Sequence, residues 1–188
     1  MNGVEKQKNI EGVVFLVLFC LTIPVANWMI GHVGTICVPN GPCLLPVAPQ
    51  LMAPSGVPMI GAALVLRDLV QRRLGVDFGI AAIVCGAAIS AGLAPPSLVI
   101  ASATAFLLSE LADFAVYTPL ARRRLVLAVL ASSLIGLAVD SIVFLWLAFG
   151  SLDFLAGQIV GKLWMVLLAT PFVAYLRRRD ERLGLKPA

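Results

Sequence analysis

Apolar residues in this chain collect into long runs, and the breaks between the runs collect charge, glycine and proline. A helix rises about 1.5 Å per residue, so about 20 apolar residues cross a hydrocarbon layer of about 30 Å. Runs of that kind are read at about 11–30, 51–73, 78–94, 96–120, 125–149 and 154–176, with ends good to a few residues. The pattern predicts an all-α integral membrane protein: a single polytopic domain over residues 1–188 with six transmembrane helices. One connection stands apart. Residues 31–50 are rich in Pro and Gly, carry no Lys, Arg, Asp or Glu, and are moderately apolar. Irregular backbone cannot face lipid, so this segment folds over protein or lines a cavity. A compact surface loop and a lid or re-entrant plug both remain open.

Composition narrows the class. The chain is 60% hydrophobic and 13% charged, where an ordinary soluble domain has about 25% charged residues. The mean hydropathy of +0.99 excludes a soluble bundle. The net charge of +4 is no nucleic-acid footprint, because the cations stand at the ends of apolar runs, and no nucleic-acid partner is expected. Lys6 and Lys8 precede the first run, and Arg72 and Arg73 follow the second. Arg122, Arg123 and Arg124 follow the fourth; Arg177, Arg178, Arg179, Arg182 and Lys186 follow the sixth. The connections at 31–50, 95 and 150–153 hold no Lys or Arg. That asymmetry predicts a multi-pass protein of the plasma (inner) membrane with both termini cytoplasmic. The N-terminal run has the outline of a signal peptide, but a first span that is never cleaved is the preferred reading in a polytopic chain.

Smaller signals refine this picture. The third run places Ala82, Gly86, Ser90 and Ala94 at every fourth position, a smooth stripe for close helix packing. Packing inside the bundle is preferred to a dimer face, and a homo-oligomer remains open. No internal repeat is visible. Four cysteines and one histidine are too scattered for a zinc site, and no metal or other cofactor is expected. Cys37 and Cys43 bracket VPNGP in the 31–50 connection; a disulfide and two free thiols are equally open.

The candidate chemistry lies in charges that sit inside the runs. Glu110 and Asp113 are three residues apart on one helical face. Each carboxylate at membrane depth costs roughly 2.5–3.5 kcal/mol on an insertion scale. Counted from the outer ends, Asp140 and Lys162 lie roughly 12–14 Å deep. Glu110 lies roughly 20 Å deep and Asp113 about 24 Å, level with Arg67 and Asp68. Depth therefore suggests two cross-helix pairs, Asp140 with Lys162 and Asp113 with Arg67, and leaves Glu110 without a cation. These charges either fix helix register or line a site, and their origin on four helices favours a site. Gln158 stands one turn before Lys162 and Phe144 one turn after Asp140, while Phe106 and Tyr117 share the Glu110–Asp113 face. Asn27 and Trp28 stand at the outer end of the first run. Carboxylates that accept from paired N–H donors, a Lys and a Gln that donate to a carbonyl, and aromatic faces would suit a flat polar ring.

At these residues the chain resembles the VUT or YhhQ-type family of vitamin uptake and queuosine precursor transporters. The matching pieces are VANW with Asn27, RDLVQRRLG with Asp68, SELADF with Glu110 and Asp113, VDSIVFLWLAFG with Asp140, and GQIVGKLW with Gln158 and Lys162. The resemblance spans about residues 12–176. It departs at Arg67, where a small polar residue is expected before the acid, and in the length of the Pro-rich connection. It implies a six-helix bundle similar to the substrate-binding components of ECF transporters. It also implies uptake of a 7-deazaguanine, the 7-cyano or 7-aminomethyl form, with Asn27, Asp68, Glu110, Asp113, Asp140 and Lys162 at the site.

The reading adopted is an importer of a small purine-like compound, not an enzyme, with Glu110 as the foremost candidate for binding the base. Arg67 is expected in charge pairing or gating. The alternative is a substrate-binding component that depends on a separate ATPase module, since no GxxxxGK[ST] loop is present. An intramembrane enzyme using Glu110 and Asp113 on a metal is weaker, because one E-x-x-D without a nearby His is a poor metal site.

Overall fold

A computed structural model describes residues 3–37, 42–94 and 99–185. Along the chain lie α1 (Gly3–His32), β1 (Ile36–Cys37), β2 (Cys43–Ala48), β3 (Leu51–Pro54), α2 (Val57–Leu74), α3 (Val76–Leu93), α4 (Val99–Ala121), α5 (Leu125–Phe149) and α6 (Leu155–Leu183). The spans expected to begin at residue 96 and to turn at residue 95 fall partly on 95–98, outside the described residues. Five helices, all but α2, are long and apolar enough to cross a membrane.

The exception organises the bundle. α2 carries Arg67, Asp68, Arg72 and Arg73 within its 18 residues, and all four are buried. It packs against each of the other helices, α1, α3, α4, α5 and α6. Its charges are therefore screened from lipid by five apolar neighbours. The outward faces of those neighbours remain apolar: Ile100 on α4 is 77% exposed and Leu168 on α6 is 68% exposed. Lipid tails are as apolar as leucine, so burial of such residues gives little drive for helices to associate in a bilayer. Close backbone approach and polar contacts must supply it.

Both are present. A Cβ added at Gly61 of α2 would lie 2.5 Å from the Lys162 carbonyl oxygen of α6, so the two backbones cross with nothing between them. On α3, the stripe Ala82, Gly86, Ser90 and Ala94 is buried. Gly86 lets the Phe106 ring of α4 and the Phe19 ring of α1 close on the α3 backbone. The small-residue stripe thus packs within the bundle.

Residues 38–41 of the 31–50 connection lie outside the described residues, and the rest of it carries the strands β1 and β2. It builds an antiparallel sheet in the order β1-β2-β3, with Cys37 opposite Cys43 and Leu44 opposite Pro54. Leu51–Pro54, read from sequence as the start of the second span, is the third strand of this sheet, so α2 starts only at Val57. Pro58 then sits in the first turn of α2, where its missing N–H has no helical partner to lose. The register slips between Pro46 and Ala48, beside a residue that cannot donate to the ladder. A disulfide joins Cys37 to Cys43. The sheet is fastened to two helices: Ser55 Oγ donates to the Met29 carbonyl of α1 at 2.7 Å, and Trp164 Nε1 of α6 donates to the Val47 carbonyl at 2.9 Å. It lies against α6, where Gly157 meets Met52 and Gly161 meets Val47.

At the opposite face α6 runs beyond residue 176 to Leu183 and ends at Gly184, whose φ of +65° closes the helix in the left-handed region. This extension brings Asp180 back over α2.

Close crossing at Gly61 makes a specific expectation. Gly61→Ala should destabilise the bundle by about 1–3 kcal/mol through overpacking against Lys162. Gly92→Ala, where an added Cβ meets nothing within 4 Å, should leave it unchanged. Thermal unfolding in detergent compares the two, and equal midpoints would contradict the crossing.

Candidate functional site

Arg67 is the centre of the polar interior. Its side chain is fully buried, and its guanidinium meets three carboxylates. Nε donates to Glu110 Oε2 at 3.0 Å, Nη2 donates to Asp113 Oδ1, and Nη1 lies 2.8 Å from Asp68 Oδ1. Nη1 also donates to Gln71 Oε1 at 3.2 Å. Phe114 and Tyr117 flank the guanidinium, each with its ring centre 5.7 Å from Cζ. A planar fork of five donors can serve several acids at once, which a lysine ammonium cannot do in one plane. On the far side, Ser132 of α5 donates to Asp68 Oδ2 at 3.0 Å.

The cluster is incompletely satisfied. Asp68 Oδ1 has Arg67 beside it but no donor aimed at it, and Asp113 Oδ2 has no hydrogen-bond partner among the described residues. The Tyr117 and Ser133 hydroxyls are likewise unpartnered. A buried polar atom without a partner costs roughly 1–3 kcal/mol, so these atoms mark where a donor-bearing ligand or a proton would be welcome.

A second cluster lies nearer the sheet. Lys162 Nζ of α6 donates to Asp140 Oδ2 at 2.5 Å, Ser141 Oγ at 2.7 Å and Gln158 Oε1 at 3.0 Å. Lys162 is 1% exposed and Gln158 2%, whereas the Asp140 side chain is 13% exposed. Asp140 is the member reachable from outside. Six residues separate Gly61, against which Lys162 packs, from Arg67, which sets the two clusters roughly 9 Å apart along α2. In total Arg67 and Lys162 face Asp68, Glu110, Asp113 and Asp140: two cations against four carboxylates.

A third cluster closes the other end of α2. Arg72 and Arg73 both grip Asp180, at 2.8 Å each, and Glu11 of α1 bridges Arg73 at 2.9 Å and Arg179 at 2.6 Å. Read from sequence, these arginines only set topology. The missed signal was the acid pair Asp180–Glu181 behind three arginines, and Glu11 at the mouth of the first apolar run.

The sequence-predicted residues divide accordingly. Asp68, Glu110, Asp113 and Arg67 come together, as do Asp140, Gln158 and Lys162. Glu110, expected to lack a cation, is held by Arg67, because one guanidinium reaches all three acids. Asn27 joins neither cluster and donates to its own helix at the Ile23 carbonyl, 3.0 Å away. The expected aromatic slot does not assemble: Phe106 packs on Phe19, Phe144 on Phe149, and Trp28 stacks on His32. Phe114, not singled out from sequence, takes their place beside Tyr117. Among the described residues no group of three or more His, Cys, Asp or Glu side chains is placed to hold a metal ion.

With that geometry established, comparison with known proteins is decisive on one point. Residues 78–176, 99 of the chain's 188, match the family model described as "Putative vitamin uptake transporter". The chain belongs to the VUT family. No curated protein and no solved structure matches it. The matched part of this VUT protein runs from α3 to α6 and carries Glu110, Asp113, Asp140, Gln158 and Lys162. Arg67 and Asp68 lie before it. Membership makes the protein a multi-pass membrane protein of a transporter family.

Removing one partner of a buried ion pair costs about 3–5 kcal/mol. Arg67→Met should therefore destabilise the VUT protein by about that amount, read as a lowered thermal midpoint in detergent. Adding Glu110→Gln and Asp113→Asn to the same variant should recover part of the loss by removing stranded charge. A triple variant no more stable than Arg67→Met would contradict the hub.

Proposed function

We propose that the protein imports a small purine-like compound, a queuosine precursor of the 7-deazaguanine class, across the plasma (inner) membrane with both termini in the cytoplasm. The observation that carries this reading is the excess of carboxylates in these two clusters, three buried and one partly exposed against two cations, with oxygens of Asp68 and Asp113 left without donors. Such an interior favours a ligand that brings N–H donors or a positive charge. The guanine-like edge supplies paired N–H groups. Its carbonyl would accept from Lys162 or Gln158.

The aminomethyl arm adds a cation that the cyano arm lacks, so the carboxylate excess favours 7-aminomethyl-7-deazaguanine over the 7-cyano form. Asp140, the partly exposed acid, meets the ligand first in this scheme. The Arg67 cluster is 0–1% exposed and receives the ligand only when helices around α2 part. Glu110 would then exchange its bond to Arg67 for the base, and Asp113 would keep the guanidinium.

Glu110→Gln and Asp140→Asn, each tested for uptake of labelled precursor by cells that cannot make it, should lower uptake roughly tenfold or more, as loss of a charge-assisted hydrogen bond predicts. Unchanged uptake in both variants would overturn the site. The alternative reading is a substrate-binding component driven by a separate ATPase module, favoured by the absence of a phosphate-binding loop in the sequence. Transport by the purified protein alone in liposomes would exclude it.

A further inference from the structure

A cavity of about 130 Å³ opens where the α4–α5 turn meets the extension of α6. Arg72, Arg122, Arg123 and Arg177 line it, together with Asp180 and Glu181. The two acids are already spent. Asp180 is held by Arg72 and Arg73, and Glu181 accepts from Arg177 Nε at 2.8 Å. Arg122 and Arg123 have no carboxylate within ion-pair distance among the described residues, so the lining keeps two unneutralised guanidinium groups. Arg72 is 7% exposed and held by Asp180, so it adds a fixed guanidinium to the wall and little free charge.

The backbone adds to this. α5 starts at Leu125, which also lines the cavity, and its N-cap residue Arg124 makes no side-chain capping bond. The first residue of a 25-residue helix, at the positive end of its dipole, therefore lies at the wall of the same cavity. Guanidinium forks and free backbone N–H groups are the donors that a phosphate oxygen set accepts from. A carboxylate would use fewer of them.

We propose that this cavity binds a phosphate group. The pocket sits where the apolar part of α4 ends and that of α5 begins, the level of lipid headgroups. The phosphate of an anionic phospholipid and a free phosphate in solution share the chemistry, and the experiment separates them. The ordinary attraction of basic membrane flanks for anionic lipid is diffuse; a built pocket depends on particular arginines. Arg124 and Arg178 supply the same charge on the same face without lining it.

The full chain is purified in neutral detergent and its thermal midpoint followed as phosphatidylglycerol, phosphatidylcholine or inorganic phosphate is added, the last against chloride at equal ionic strength. A ligand of the folded form raises the midpoint. The expected result is a rise with phosphatidylglycerol and none with phosphatidylcholine. In R122Q/R123Q the apparent affinity should fall roughly tenfold or more, while R124Q/R178Q keeps it. Since Arg122 and Arg123 are exposed, both variants should match the unmodified chain when no anion is present. A rise with inorganic phosphate that also depends on Arg122 and Arg123 assigns the site to a soluble phosphate source. No rise with either anion, or equal loss in the two double variants, overturns the proposal.

Discussion

The fold depends on one buried guanidinium. Arg67 stands on the helix that every other helix touches, and it holds acids from its own helix and from α4. Apolar burial gives little drive for helices to associate in a bilayer, so this contact and the close backbone crossings supply much of what determines how the helices sit. The same contact explains why α2 can be charged and central. Its C-terminal end is held by similar means, through Arg72 and Arg73 on Asp180 of α6, while toward the sheet it meets α6 at the Gly61–Lys162 backbone crossing. Polar contacts at two levels and this crossing make α2 the axis around which the apolar helices are arranged.

This arrangement has a consequence for transport. Arg67 is shared among more acids than it can neutralise, so each of its bonds can be exchanged for a bond to a ligand donor. Under the proposed function, a ligand reaching this cluster would not have to break an optimal pair; it would take over part of an overloaded one. The sheet from β1 to β3 is coupled to the helices. It is pinned to α1 through Ser55 and to α6 through Trp164, so movement of α6 would carry the sheet with it.

Much of the architecture was legible in the sequence, for a physical reason: spanning a bilayer forces long apolar runs, and charge asymmetry marks their ends. Counting depth at the helical rise put Asp140 level with Lys162 and Asp113 level with Arg67, and the structure joins both pairs. Depth carries no rotation about the helix axis, however. It could not tell that Glu110, one turn from Asp113, also faces Arg67, nor that Phe106 turns to Phe19. Leu51–Pro54 was misread because four apolar residues have no period of their own and simply extended the run behind them. Asp180 and Glu11 were passed over because charges at the ends of spans read as solvated, while tertiary packing folded them back onto α2.

The central claim is that an interior with surplus carboxylate selects a donor-rich, cationic ring compound. Its most direct test is the thermal shift of the purified protein against 7-aminomethyl-7-deazaguanine, 7-cyano-7-deazaguanine, guanine and anionic water-soluble vitamins. The largest rise is expected with the aminomethyl form, a smaller one with the cyano form and none with the anionic vitamins. A rise with an anionic vitamin and none with either deazaguanine would contradict it.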